Sequence, residues 1–227
     1  MEVIFLSEII TLKQETPSVQ YLCKKDKRIA KVISMVGEIT YQPHDDPFAF
    51  LVHEIIEQML SIKAGKRIYA RLEDLCGDDI TPEAVSYFSE DEIRTIGTSS
   101  SKARYITGLA NSVLNGDLDF SRYESMSDKE VIKDLIQFHG IGQWTAKMYL
   151  IFVLDRQDVL PYEDVAFLQG YKWAYKTDDV SKATIEKRCK KWKPYSSIAA
   201  RYLYRALDEG LTKNEFHLFK GEGHESY

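Results

Sequence analysis

Three cysteines in 227 residues, Cys23, Cys76 and Cys189, stand far apart and form no C-x-x-C pair. They are too few and too scattered for a disulfide framework, and they cannot supply the four thiolates of an iron–sulfur cluster or a zinc knuckle. The five histidines (His44, His53, His139, His217 and His224) form no ligand motif, so transition-metal chemistry is not expected. Long apolar runs are lacking too, since the longest, Met148 to Leu154, falls far short of a membrane span. The opening MEVIFLSEII carries Glu2 and Glu8 where an export signal would carry positive charge. The expectation is a protein that stays inside the cell, in the cytoplasm or a nucleus, with no membrane partner. Repeats and low-complexity tracts are absent as well. With 44 % hydrophobic and 29 % charged residues, the chain has the composition of a folded domain or a pair of lobes rather than of a disordered chain or a coiled-coil rod.

A net charge of −5 argues against a protein that coats nucleic acid. The average hides an asymmetry. Between Tyr171 and Arg205 stand ten basic residues (Lys172, Lys176, Lys182, Lys187, Arg188, Lys190, Lys191, Lys193, Arg201 and Arg205) against three acidic ones, Asp178, Asp179 and Glu186. Most such runs are solvated helix faces, and this one points to a polyanion only in company with a second signal.

Short extended stretches are expected at Glu2 to Leu6 and Val32 to Tyr41. From Asp46 onward the signals are helical. Asp46-Pro47 sets a capping acceptor before a proline at the first helical position. The following FAFLVHEIIEQMLSIKAGKRIYARL carries Phe48, Leu51, Val52, Ile55, Ile56 and Met59 as one stripe at helical period. Thr81-Pro82 begins another helix, Ser89-x-x-Glu92 and Ser127-x-x-Glu130 read as capping boxes, and KARYITGLANSVL has one apolar face. The run AKMYLIFVL is apolar almost all round, as in a helix buried on every side. Pro161 stops it, a new helix opens near Asp164, and a last one runs from about Ser196 to Leu207. The reading is an all-α protein, its strands confined to the first forty residues.

The stretch from Leu135 to Gly170 carries the most chemistry. Two helices meet at His139-Gly140-Ile141-Gly142, where so tight a turn needs backbone that a side chain would obstruct. Small residues here also let a phosphate approach the amides that open the second helix. A G-x-G elsewhere usually does no more than join two packed helices.

Four separated segments change those odds. They are FHGIGQWTA, followed by DVLP and by Asp164 twenty-two residues after Gly142; IIEQMLSIKA, with Gln58 and Ser61 as Gln-x-x-Ser; SSSKARYITGLA; and WKPYSSIAARYLY. Spanning residues 46 to 205, they resemble the helix-hairpin-helix DNA glycosylases, and among these the 3-methyladenine DNA glycosylase II branch that removes alkylated bases.

The resemblance implies a two-lobed all-α fold without a separate N-terminal β domain, since only about forty-five residues precede the first large helix. The expected division is an N-terminal segment, residues 1–45, partly extended or helical; a helical lobe carrying the wedge, 46–125; and a lobe with the hairpin and the catalytic aspartate, 126–227, on which the N-terminal segment has a place to pack. It further implies a partner, double-stranded DNA containing damaged bases, bound by a monomer. Asp164 is the implied catalytic carboxylate, at the cleft between lobes. On the residues alone it is an ideal N-cap, and the two roles are compatible because a helix start favours negative charge. Glu163, one residue off the motif, is its rival. Met59 matches the intercalating wedge, although a Met on a helical stripe is more often core. Trp144, Met148 and Tyr204 would line the base pocket, with Tyr149 or Tyr175 as further candidates; an electron-rich ring draws a cationic base by about 0.5–2 kcal/mol. Gly140, Gly142, Thr145 and Lys172 would contact the DNA backbone. No cofactor is required, and the Ile136, Phe138 and Ile141 carbonyls are the analogous seat for a structural sodium or potassium ion.

Relatives that also cut the strand place a lysine two residues after the second hairpin glycine, where this chain has Trp144. The implied activity is hydrolysis of the N-glycosidic bond of alkylated purines, leaving an abasic site without a lyase step. The alternatives are a non-catalytic hairpin protein that reads DNA structure, or a glycosylase for deaminated or oxidised bases.

Overall fold

The computed structural model describes residues 8–218. In chain order its elements are strand β1 (Ile10–Leu12), helices α1 (Pro17–Lys25) and α2 (Lys27–Val36), strand β2 (Ile39–Tyr41), then α3 (Pro47–Glu57), α4 (Ile62–Cys76), α5 (Pro82–Ser86), α6 (Glu90–Arg94), α7 (Ser100–Leu114), α8 (Asp128–Leu135), α9 (Gln143–Phe152), α10 (Val165–Tyr175), α11 (Lys182–Cys189) and α12 (Ser196–Asp208). The protein is mostly helical, its one sheet among the described residues being the antiparallel pair β1–β2, with Ile10 opposite Tyr41. The expected strand at Val32 to Tyr41 is mostly helix: Val32 to Val36 close α2, and only Ile39 to Tyr41 are extended. The stretch Glu2 to Leu6 lies outside the described residues.

Caps fix most helix starts. Asp46 accepts the Ala49 N–H at 2.8 Å, and both capping boxes are formed, with Glu92 and Glu130 reaching back to the N–H groups of Ser89 and Ser127 at 2.8 Å. Each such cap contributes about 0.5–2 kcal/mol. The long stripe after Asp46 departs from expectation, because it is two helices: α3 stops at Glu57, and Ser61 caps a new start by accepting the Ala64 N–H at 3.3 Å.

The chain forms two compact units, residues 43–155 and residues 8–42 with 156–218 among those described. In the first, α9 is the pillar the sequence indicated, buried from Thr145 to Ile151 and packed by α3 and α8. Leu51, Val52, Ile55 and Ile56 of α3 are wholly buried, each contributing about 1.5–3 kcal/mol. Tyr149 sits among the rings of Phe50, Phe120 and Tyr123, at centroid distances of 5.8–6.2 Å, and is 1 % exposed. That takes it out of the pocket candidates and into the core.

In the second unit, Val19, Leu22, Ile29 and Val32 from the N-terminal helices are buried in one core with Tyr202 and Leu203 of α12 and Phe167 and Tyr171 of α10. Asp26, 2 % exposed, fastens it: Oδ1 caps α2 by accepting from Arg28 and Ile29, and Oδ2 accepts from Tyr175 Oη, Trp192 Nε1 and Lys191 Nζ. Tyr175 is therefore a core residue too. Helices α10 and α12 touch at Gly170, where a Cβ would stand 3.0 Å from Leu203 Cβ and 3.2 Å from its carbonyl oxygen. The division at 42/43 and 155/156 differs from the expected 45/46 and 125/126, because α8 and α9 pack with α3 while α1 and α2 pack with α12.

Candidate functional site

The candidate residues fall in both units. In the first, α8 ends in a tight turn in which the Phe138 N–H bonds the Leu135 carbonyl at 3.2 Å and the Ile141 N–H bonds that of Phe138 at 3.1 Å. Gly140 has φ +92°, and a Cβ there would lie 2.8–2.9 Å from the stem of the Tyr105 ring. Conformation and space both require glycine. Gly142 precedes α9 without a side-chain cap, and it and Gln143 are exposed, so the first amides of α9 open on solvent. Thr145 is 1 % exposed, which removes its side chain from the expected phosphate contact. Trp144 is half-buried and Met148, one turn on, is 4 % exposed. The three carbonyls expected to seat a monovalent cation lie in this one turn, that of Phe138 already accepting one N–H; neutral oxygens of this kind suit a hard cation.

The turn between α3 and α4 holds the largest surprise of this unit. Met59 has φ +58° and is 100 % exposed, so it is neither core nor part of a helical stripe. Leu60 and Ile62 beside it are also exposed, at 41 % and 72 %. Gln58 Nε2 donates to the Gly140 carbonyl at 2.8 Å, and Lys102 Nζ donates to the carbonyls of Ile56 at 2.8 Å and Gln58 at 2.5 Å. Burial pushes the Lys102 ammonium below its ordinary value. Both bracing residues stand in the quoted motifs, Gln58 in Gln-x-x-Ser and Lys102 in SSSKARYITGLA, but residue type alone assigned them no role. On α3, His53 lies 3.5 Å from both Glu54 and Glu57; the hydrogen bond to Glu54 outweighs burial and raises its pKa.

In the second unit Asp164 is the N-cap of α10. Its Oδ1 accepts the Phe167 N–H at 2.7 Å, and 8 % of the residue stays exposed. The segment leading to it is stitched to the start of α12: Ser197 Oγ accepts the Val159 N–H at 2.9 Å and donates to the Arg156 carbonyl at 2.6 Å, and Ser196 bonds Asp158. These serines, from WKPYSSIAARYLY, set where Asp164 sits. Glu163 does not cap the helix. Tyr204, on α12, is half-buried. Lys172 pairs with the exposed Asp178 at 2.8 Å.

Thr184, Lys187, Arg188, Lys190 and Lys191 line an open groove of about 640 Å³ on the same unit. Arg188 is fixed by a 2.8 Å bond to Tyr171 Oη and by lying 5.0 Å from the Tyr175 ring centre, and Lys191 by Asp26, while Lys187 and Lys190 are exposed.

Residues 52–194 match the profile of a family described as "HhH-GPD superfamily base excision DNA repair protein". The chain is 28 % identical over 194 residues to DNA-3-methyladenine glycosylase 1 of Schizosaccharomyces pombe, covering 82 % of this chain and 84 % of that one. Among solved structures it resembles a DNA-3-methyladenine glycosidase from Bacillus halodurans, with a TM-score of 0.81, 35 % identity, and coverage of 92 % and 97 %. It also resembles the S. pombe 3-methyladenine DNA glycosylase in complex with abasic DNA, with a TM-score of 0.76, 27 % identity, and coverage of 85 % and 97 %.

Proposed function

The chain belongs to the HhH-GPD superfamily of base excision DNA repair proteins, and on that premise we propose that it is a DNA-3-methyladenine glycosylase that excises alkylated purines from double-stranded DNA. The observation that carries this reading is Met59, an apolar side chain held wholly in solvent by a turn that is itself bonded to the hairpin carbonyl of Gly140. An exposed apolar tip of this kind gains only by entering another apolar environment, and the gap left in a stacked duplex by an extruded base is one.

The hairpin amide after Gly142, exposed at the start of α9, holds a phosphate, and the carbonyls of Ile136, Phe138 and Ile141 would seat a monovalent cation that adds positive charge beside it. Trp144, half-buried beside the hairpin, offers the base an electron-rich face that its positive ring charge favours. Lys172 and the groove of Lys187 and Lys190 take flanking phosphates. Asp164 stabilises the positive charge that develops on the sugar as the N-glycosidic bond breaks. The bonding pair leaves with the base and neutralises its ring charge, so no acid is needed. A water oxygen then bonds C1′, its proton passing to the carboxylate. Trp144 stands where a lysine would be needed for a Schiff base, so the strand stays intact. The protein works as a monomer, in the cytoplasm or a nucleus, wherever the DNA lies.

The test presents duplexes carrying 3-methyladenine, hypoxanthine or 8-oxoguanine and measures the free base released, followed by alkali. Release of 3-methyladenine foremost, with strand breakage appearing only after alkali, is the expected result. Preference for a neutral base overturns the substrate, breakage without alkali overturns the single-step chemistry, and binding without release of any base overturns the enzyme.

A further inference from the structure

The Met59 turn competes with a plain alternative. Phe48, Leu51, Val52, Ile55, Ile56 and Met59 keep a helical period, so by pattern alone α3 would run on through Met59 and lay it on the buried stripe. Continuation would require the Ile56 carbonyl to accept from the N–H of Leu60 and the Gln58 carbonyl from that of Ile62, four residues on in each case. In the structure neither carbonyl accepts such an amide: Lys102 Nζ donates to both, and the Leu60 N–H turns instead to Glu57, at 3.1 Å. A cation at the C-terminus of α3 also meets the negative end of the helix dipole. The favourable bonds offset a left-handed conformation at a residue with a side chain, which by itself costs about 1–2 kcal/mol.

We infer that Lys102 is a positioning residue for base extrusion: by bonding the Ile56 and Gln58 carbonyls at once it holds the unwound turn after α3 and so keeps the Met59 side chain presented to the duplex. This rests on the reading of Met59 as the wedge. Lys102 stands near the start of α7 and Gln58 reaches the hairpin, so the turn is held from two directions by residues remote in the chain.

The experiment compares single-turnover base release from a lesion in a fully paired duplex with release from the same lesion in an unpaired bubble, where extrusion is already done. Lys102→Met should lower the duplex rate about tenfold and leave the bubble rate within about twofold, because only part of the few kcal/mol of unstacking is lost. Met59→Ala should show the same split, and the double variant should be no worse than Met59→Ala alone, since both act through one side chain. A role confined to stability would lower both rates together. If Met59→Ala shows the split and Lys102→Met does not, the inference is overturned and the wedge stands; if Met59→Ala leaves the ratio unchanged, the wedge reading falls and the inference with it. Should Lys102→Met fail to fold, Lys102→Gln, which shortens the stem and removes the charge, is judged by the same ratio.

Discussion

Replacing Asp164 with Asn keeps the cap and removes the charge. The Oδ1 atom that accepts the Phe167 N–H at 2.7 Å has a counterpart in the Asn amide oxygen, and Asn and Asp are about equal as N-caps. The folding free energy should therefore change by less than about 0.5 kcal/mol, a shift of under about 2 °C in Tm for a chain of this size. The chemistry should respond far more. A group that stabilises developing charge in a water-poor site is worth about 100- to 1000-fold in rate, or about 2.7–4 kcal/mol. Single-turnover release of 3-methyladenine from duplex DNA measures that loss, with binding to an abasic duplex and thermal unfolding followed on the same preparations. Asp164→Ala is the control that removes cap and charge together, and it should add about 0.5–2 kcal/mol of destabilisation. If Asp164→Asn releases base within about threefold of the parent rate, the carboxylate takes no part in catalysis and the assignment fails. If it melts as early as Asp164→Ala, the cap is not what the residue provides.

Gly140→Ala should destabilise by about 2–5 kcal/mol, combining about 1–2 for an L residue at positive φ with about 1–3 for overpacking against Tyr105, and a urea titration showing under about 1 kcal/mol would refute the close approach. At Asp26, burial raises the pKa, but the bonds from Tyr175, Trp192 and Lys191 outweigh it and hold it below the ordinary 3.8. The stability this carboxylate provides is full above that value and is lost as pH falls through the lower native one. Asp26→Ala should cost about 3–5 kcal/mol at neutral pH and flatten the acid limb of the urea midpoint against pH, and an unchanged limb would count against the buried carboxylate. Neutralising Lys187 and Lys190 together to Gln should reduce the slope of log binding constant against log salt for duplex DNA by about 1.8 if each meets one phosphate; an unaltered slope would remove the groove from the interface.

Much of this protein was legible wherever the deciding interaction was short in sequence. Asp46, Ser89 and Ser127 bond amides three residues on, and the structure forms those caps as read. The uniformly apolar run after Thr145 became the buried α9, and Asp164 became the cap of α10. Residues 8–42 were harder. Their helices carry short, mixed patterns, and what recruits them is a core shared with α10 and α12, together with one carboxylate that joins Asp26 to Tyr175 and Trp192 across 149 and 166 residues. Tyr149 and Tyr175 look like pocket residues in a list of aromatics and are core in space, because an aromatic ring serves either purpose and only its neighbours decide.

The amino-acid sequence alone determined the helical class, the glycine turn and the capping carboxylate, since each depends on residue type and on spacing within a turn or two, and it carried the family resemblance in four short segments whose order along the chain needs no fold to be read. It misread the segment around Met59 as one helix, because periodicity registers which residues are apolar and not which carbonyls a distant side chain will bond. Lys102 and Gly140, 44 and 82 residues from Gln58, decide that the chain breaks there and that Met59 faces water. Bonds between residues so remote in the chain exist only once the fold has brought them together, so the shape of this turn belonged to the tertiary structure.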